Sequence, residues 1–154
     1  LITIVVLDHR NPAVAERIVD VEQAGYRVEA EITGYDGMPG LHQDAEAVAA
    51  LDLTLLGALD GDRLVGVLGY RRHGGLVDVD RLAVHPDHFR QGIGRSLLAE
   101  LHRREADALR TEVMTSTGNT PAISLYLQAG YVISDRDDSG EVSVSHFTRV
   151  RPDR

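Results

Sequence analysis

The chain has no cysteine, no lysine and no tryptophan among its 154 residues, and each absence removes a class of chemistry. Without cysteine there is no disulfide framework, no thiolate metal site and no cysteine nucleophile. Without lysine there is no Gly-Lys-Ser/Thr end to a phosphate loop, which removes the nucleotide triphosphatase reading. No Gly-x-Ser-x-Gly elbow is present to carry a serine nucleophile. No apolar run is long enough to cross a bilayer, and the opening Leu1 to Leu7 lacks the basic start and cleavage site of a signal peptide. It reads as a strand, in a cytoplasmic protein. A net charge of −8 argues against nucleic acid, whose phosphates demand a basic face. His85 and His88 flank Pro86-Asp87, but no third ligand follows at metal-site spacing, and His9, His42, His73, His102 and His146 are scattered, so no metal is assigned. The length and a hydrophobic fraction of 43% fit one domain, residues 1–154, with a core of ordinary size.

What is present is concentrated in Val79 to Leu98, which reads as a strand, a short loop and a glycine-rich helix start. Gly92 and Gly94 carry no side chain, so an anion can approach the backbone, and the first turn of a helix offers amide N–H groups without intrahelical partners. A phosphate or pyrophosphate is the natural occupant. A dinucleotide fingerprint would need a third Gly or Ala where this chain has Leu97, and an N-terminal β-α-β setting that is absent.

Phe89, Arg90, Gln91, Gly92, Ile93 and Gly94 instead resemble motif A of the GCN5-related N-acetyltransferases (GNAT), Q/R-x-x-G-x-G/A, which wraps the pyrophosphate of acetyl-CoA. The departure is Phe89, where that family has Arg or Gln; the neighbouring Arg90 is expected to take over part of the contact. A second segment, Asn119 to Tyr131, is similar to the family's N-x-x-A-x-x-L-Y-x-x-x-G-F/Y pattern, with Asn119, Ala122, Leu125, Tyr126, Gly130 and Tyr131 in place. Its local chemistry agrees: Thr120 suits an N-cap, Pro121 the first helical position and Gly130 a left-handed C′ residue. The resemblance covers roughly residues 54 to 150.

It implies a mixed α/β fold: a central, mostly antiparallel twisted sheet, splayed at the cofactor site, with helices on both faces. It also implies acetyl-CoA as co-substrate and direct N-acetyl transfer, an acyl-cysteine intermediate being impossible here. The implied cofactor-binding residues are Leu82, Ala83, Val84, Arg90, Gln91, Gly92, Ile93, Gly94, Arg95, Ser96, Asn119 and Tyr126, with the amide near Leu82 helping to form an oxyanion site and Val84 pairing with pantetheine. Tyr126 is the expected acid for the departing thiolate. Asp78 and Asp80, placed by period-two alternation on the face of Leu82 and Val84, are the expected sources of a base, with a water chain as the alternative. A non-catalytic acyl-CoA sensor on the same fold is the competing reading.

Charge gives the acceptor expectation. Residues 1 to 62 hold twelve acids against Arg10, Arg17 and Arg27, whereas residues 63 to 110 hold nine arginines against six acids. A basic middle suits an anionic cofactor and an acidic first third suits a small-molecule or peptide amine, although acidic helix faces are commonly just solvated. A homodimer is one form open to the chain.

The expected element order starts with a strand over Ile2 to Asp8, a helix from Asn11-Pro12 to about Gln23 closed by Gly25, and a weaker helix over Asp44 to Ala50. Hairpins follow at Asp60-Gly61-Asp62 and His73-Gly74-Gly75, the second leading into Leu76 to Val84. A sheet-covering helix from Gln91 to about Leu109, a strand Glu112 to Thr115 and a helix Thr120 to Ala129 come next. The chain then runs through strand Tyr131 to Ser134, an acidic turn to Gly140, strand Glu141 to Val150, and a frayed tail Arg151 to Arg154.

Overall fold

In the computed structural model, which describes residues 1–152, the elements are β1 (Ile2–Val6), α1 (Pro12–Thr33), α2 (Pro39–His42), α3 (Ala45–Ala49), β2 (Thr54–Asp60), β3 (Arg63–His73), β4 (Leu76–Val84), α4 (Ile93–Arg104), β5 (Arg110–Ser116), α5 (Thr120–Gln128), β6 (Val132–Asp137) and β7 (Val144–Val150), with a 3-10 turn at Pro86–His88 between β4 and α4. The seven strands make one sheet in the order β1-β2-β3-β4-β5-β7-β6, antiparallel throughout except for the β4–β5 pair. That parallel pair is short. It runs from Leu76 opposite Arg110 to Val79 opposite Val113, and beyond it the two strands part, leaving a gap beside Leu82 to Val84.

Helices cover both faces. On one, α4 seats Ile93, Leu97, Leu98 and Leu101 against Val77, Val79, Val113 and Phe147; on the other, α1 and α3 seat Ile18, Val21 and Val48 against Leu55 and Val67. Burying side chains of this size contributes roughly 1.5–3 kcal/mol each relative to exposure.

The largest difference from the sequence reading is α1, which runs through Gly25 to Thr33. Asn11 caps its start through a side-chain oxygen that accepts from Ala13 N–H at 3.0 Å, and Gly34, at φ 73°, ends it. Gly25 is not a stop. A Cβ there would lie 2.8 Å from the Val84 carbonyl oxygen, so the glycine permits helix and strand to touch. Helix α4 ends at Arg104, short of Leu109, and Ala108 is buried from the turn that follows. Asn119, not Thr120, caps α5, which places Pro121 at the second helical position. Strand β6 extends to Asp137, so the acidic turn lies later and β7 begins at Val144. Of the expected frayed tail, Arg151 is tied down, its N–H donating to Leu109 O at 2.9 Å and its guanidinium to Asp107 O at 3.2 Å; Asp153 and Arg154 lie outside the described residues.

Candidate functional site

The anionic end of the site is built where the loop after β4 becomes α4. Gly92 occupies the N-cap in the left-handed region at φ 75°, and nothing lies within 4 Å of where its Cβ would stand. The N–H groups of Ile93, Gly94 and Arg95 precede the first intrahelical bond, which is Ser96 N–H to Gly92 O at 2.9 Å. The Ser96 amide is therefore spent, against expectation. Gly94 also has another reason to be glycine: its missing Cβ points at Leu125 Cδ2, 3.0 Å away, so the absent side chain serves helix packing while the amide stays uncommitted. Arg90, at φ 63°, is the non-glycine residue that the described backbone holds at positive φ, a strain of about 1–2 kcal/mol of the kind that persists at ligand clamps. His88 binds Asp60 through Nε2 at 3.2 Å and leaves Nδ1 buried without a partner.

From this end a cleft of about 760 Å³ runs between β4, α5 and the second half of α1. Leu82, Ala83, Val84, Arg90, Gly92, Ile93, Gly94, Arg95, Asn119 and Tyr126 all line it, whereas Gln91, Ser96, Asp78 and Asp80 do not. His85 N–H donates to Val65 O at 2.8 Å, so the alternation of an antiparallel ladder turns the N–H and C=O of Leu82 and Val84 away from β3 and toward the gap. The Leu82 amide is not free there. It donates to the Tyr26 hydroxyl at 3.2 Å, so the expected oxyanion donor is already engaged by a residue of α1. Tyr26 and Glu29 belong to the stretch beyond Gly25 that sequence reasoning ended too early; the spacing of Gly25, Glu29 and Ile32 along one helical face was the signal available.

Tyr126 is 5% exposed, packs its ring against Tyr131 and Phe147 at 5.8 and 5.6 Å, and its hydroxyl makes no hydrogen bond to another described residue. Burial, with the Glu29 charge adding to it, pushes this phenol well above its ordinary range and keeps it protonated. Asn119 is held from three sides: Oδ1 accepts from Ala122 N–H at 3.3 Å, and Nδ2 donates to Thr115 Oγ1 at 3.2 Å and to Glu29 Oε1.

The family model described as an acetyltransferase (GNAT) domain matches residues 52–133. The chain belongs to the GNAT acetyltransferase family. It is similar to UPF0157 protein YqkA of Bacillus subtilis (strain 168), 39% identical over 125 residues, which are 81% of this chain and 36% of YqkA. The chain thus spans about a third of that relative's length. Among solved structures, the PaiA N-acetyltransferase of Thermoplasma acidophilum in complex with coenzyme A aligns with a TM-score of 0.77 at 19% identity, covering 97% of this chain and 99% of that one. The ribosomal-protein-S18-alanine N-acetyltransferase of Escherichia coli aligns at 0.73 and 15% identity, covering 100% and 96%. At these identities the likeness shows the fold.

The strand acids of this GNAT chain sit elsewhere than expected. Gly69 pairs with Arg81 and Tyr70 with Val79, so Asp80 is an extra residue, a β-bulge. The bulge inverts the alternation: Val77 and Val79 face the α4 side together with Leu82 and Val84, and Asp78 is left on the opposite face. Asp80 binds Arg81, its Oδ2 accepting from Nε at 2.8 Å. Arg81 also reaches Glu22 Oε1 at 3.2 Å and Gln43 Oε1 at 2.8 Å, clamping the bulge to α1 and to the residue that follows α2. Glu22 is 1% exposed, and burial outweighs the attraction of Arg81 to push it up to about 7 from 4.5.

A raised carboxylate stabilises the fold below its unfolded value and loses that contribution as pH rises through its folded value. The window here runs from about 4.5 to about 7. Relative to Glu22→Gln, the wild-type chain is expected to lose about 3 kcal/mol of unfolding free energy across it. Denaturant titrations of both proteins at several pH values measure this; parallel curves would show that Glu22 does not titrate in that window.

Proposed function

We propose that the chain is an acetyl-CoA-dependent N-acetyltransferase that passes the acetyl group directly to a primary amine of a small molecule or peptide. The observation that carries this is one cleft with the left-handed Gly92 at one end and the unpaired Tyr126 hydroxyl further along. The site fits the cofactor: open space at the missing Cβ of Gly92, three uncommitted amides, Arg90 and Arg95 beside them, and an orphaned His88 Nδ1 suit a diphosphate. Acetyl-CoA, when bound, supplies an activated acyl thioester. The protein's part is to hold it and manage protons. Ile93, Gly94, Arg95 and Arg90 bind the anionic end, the backbone of Val84 pairs with the amide-bearing arm, and Tyr126 presents a proton to the sulfur.

The test is thiol release from acetyl-CoA in the presence of an amine panel. Because the chain has no cysteine, a thiol reagent reads only the coenzyme. Amine-dependent release is the expected result; tight coenzyme binding with no release on any amine would make the chain a sensor instead. With twelve acids in residues 1–62, a cationic acceptor is steered by charge, so kcat/KM is expected to fall as salt is added. Rates indifferent to salt, or activity confined to anionic acceptors, would mean that the acidic first third is solvated surface.

A further inference from the structure

The cleft contains a carboxylate that neither the family motifs nor the strand acids account for. Glu29 projects from the part of α1 that continues past Gly25 and lines the same cavity as Tyr126 and Val84. Among the described residues no arginine or histidine forms an ion pair with it. Its Oε1 accepts from Asn119, and its Oε2 takes no donor from the described residues. Asn119 is in turn fixed by Thr115 and by the first turn of α5, so the carboxylate is held on a rigid support one helix away from Tyr126. A half-buried carboxylate with a free oxygen and no cationic partner is built to meet a cation from outside.

We infer that Glu29 receives the acceptor's ammonium group and takes the proton that must leave before attack. This rests on the transferase reading above and supplies the base that the bulge carries away from the cleft at Asp78 and Asp80. An alkylammonium holds its proton up to about pH 10, so a base must act at neutral pH. The O–H bond forms on Glu29 as the N–H bond breaks, and the electron pair stays on nitrogen. The nitrogen then bonds to the acyl carbon as the carbon–sulfur bond breaks. Sulfur takes a proton from Tyr126, the nitrogen's second proton restores Tyr126, and Glu29 returns the first to solvent, so one proton is released per turnover.

The surroundings support this. Burial raises Glu29 above the ordinary 4.5, against the opposing hydrogen bond from Asn119, which moves it toward proton acceptance. The groups facing it are phenols, Tyr26 of α1 and Tyr126 of α5, both pushed upward and therefore silent near neutrality. From β4, Arg81 is committed to Glu22 and Asp80, and in the turn before α4 His88 is bonded to Asp60. Arg90 and Arg95 stand at the anionic end of the cleft.

Glu29→Gln keeps an oxygen for Asn119 and removes only the charge. With 1,4-diaminobutane, tyramine and triglycine as probes, the variant is expected to lose about 10²–10⁴-fold in kcat/KM. It should also lose the acidic limb of the pH profile and keep the coenzyme dissociation constant within a few fold. Glu29→Asp, which retains the charge, is expected to recover part of the rate. Wild-type turnover and pH profile in Glu29→Gln would overturn the inference while leaving the transferase reading intact. Loss of the acidic limb in Asp80→Asn alone would place the base on β4 and overturn it too. A wild-type chain that binds coenzyme A yet releases thiol with none of the probes overturns the transferase reading and this inference with it.

Discussion

Replacing Tyr126 by phenylalanine is expected to lower kcat by about 10²–10⁴-fold and to leave the dissociation constant for acetyl-CoA nearly unchanged. The variant is clean for a structural reason. The hydroxyl bonds to no other described residue, so removing it orphans nothing, and the ring contacts with Tyr131 and Phe147 are made by atoms that phenylalanine retains. What is lost is a proton donor in a buried site where burial and the Glu29 charge keep the phenol neutral. An interaction that matters only as charge develops on sulfur appears in kcat and not in ground-state affinity. Steady-state kinetics beside calorimetry with coenzyme A checks both halves. Wild-type turnover would remove Tyr126 from the proton path.

Replacing Gly92 by valine should abolish measurable coenzyme binding, a loss of at least about 10²-fold if two charge-assisted hydrogen bonds go at roughly 1.5–3 kcal/mol each. Two effects add. A β-branched residue is strained at φ 75°, and its side chain would enter the open space that the missing Cβ leaves beside the helix amides. Gly94→Ala is the contrasting case, because its methyl would press on Leu125 and cost packing rather than anion affinity. Calorimetry with coenzyme A, read beside thermal melts, separates them. Unchanged affinity in a folded Gly92→Val protein would mean that the anion is held elsewhere.

Both segments on which these predictions rest were legible because their signals are local. Two glycines after a β-branched strand, and Asn-Thr-Pro before an apolar run closed by Gly130, fix a turn and two helix ends with little help from the rest of the chain. The misreadings that reshape the site are tertiary. Gly25 looks like a helix stop until the Val84 carbonyl is seen against it, and with that error the half-helix bearing Tyr26 and Glu29 disappears from the site. The bulge at Asp80 leaves no mark in an alternating sequence, yet it inverts which acids face which way. Gly94 fits the motif as well as Gly92 does, and only the position of Leu125 tells the two apart.

The strand order also dictates when this sheet can be finished. Strand β7 lies between β5 and β6 and pairs with each along its length, while β5 and β6 do not touch as neighbours. A nascent chain that has delivered residues 1 to 137 can close the antiparallel run from β1 to β4, but β6 then has no partner and the outer edge of β5 stands bare. Until β7 is made, that outer edge of β5 has no hydrogen-bonding partner. Synthesis therefore exposes a pairing-competent edge, next to the apolar Met114 and Val132, until Val144 to Val150 emerge and insert between the two.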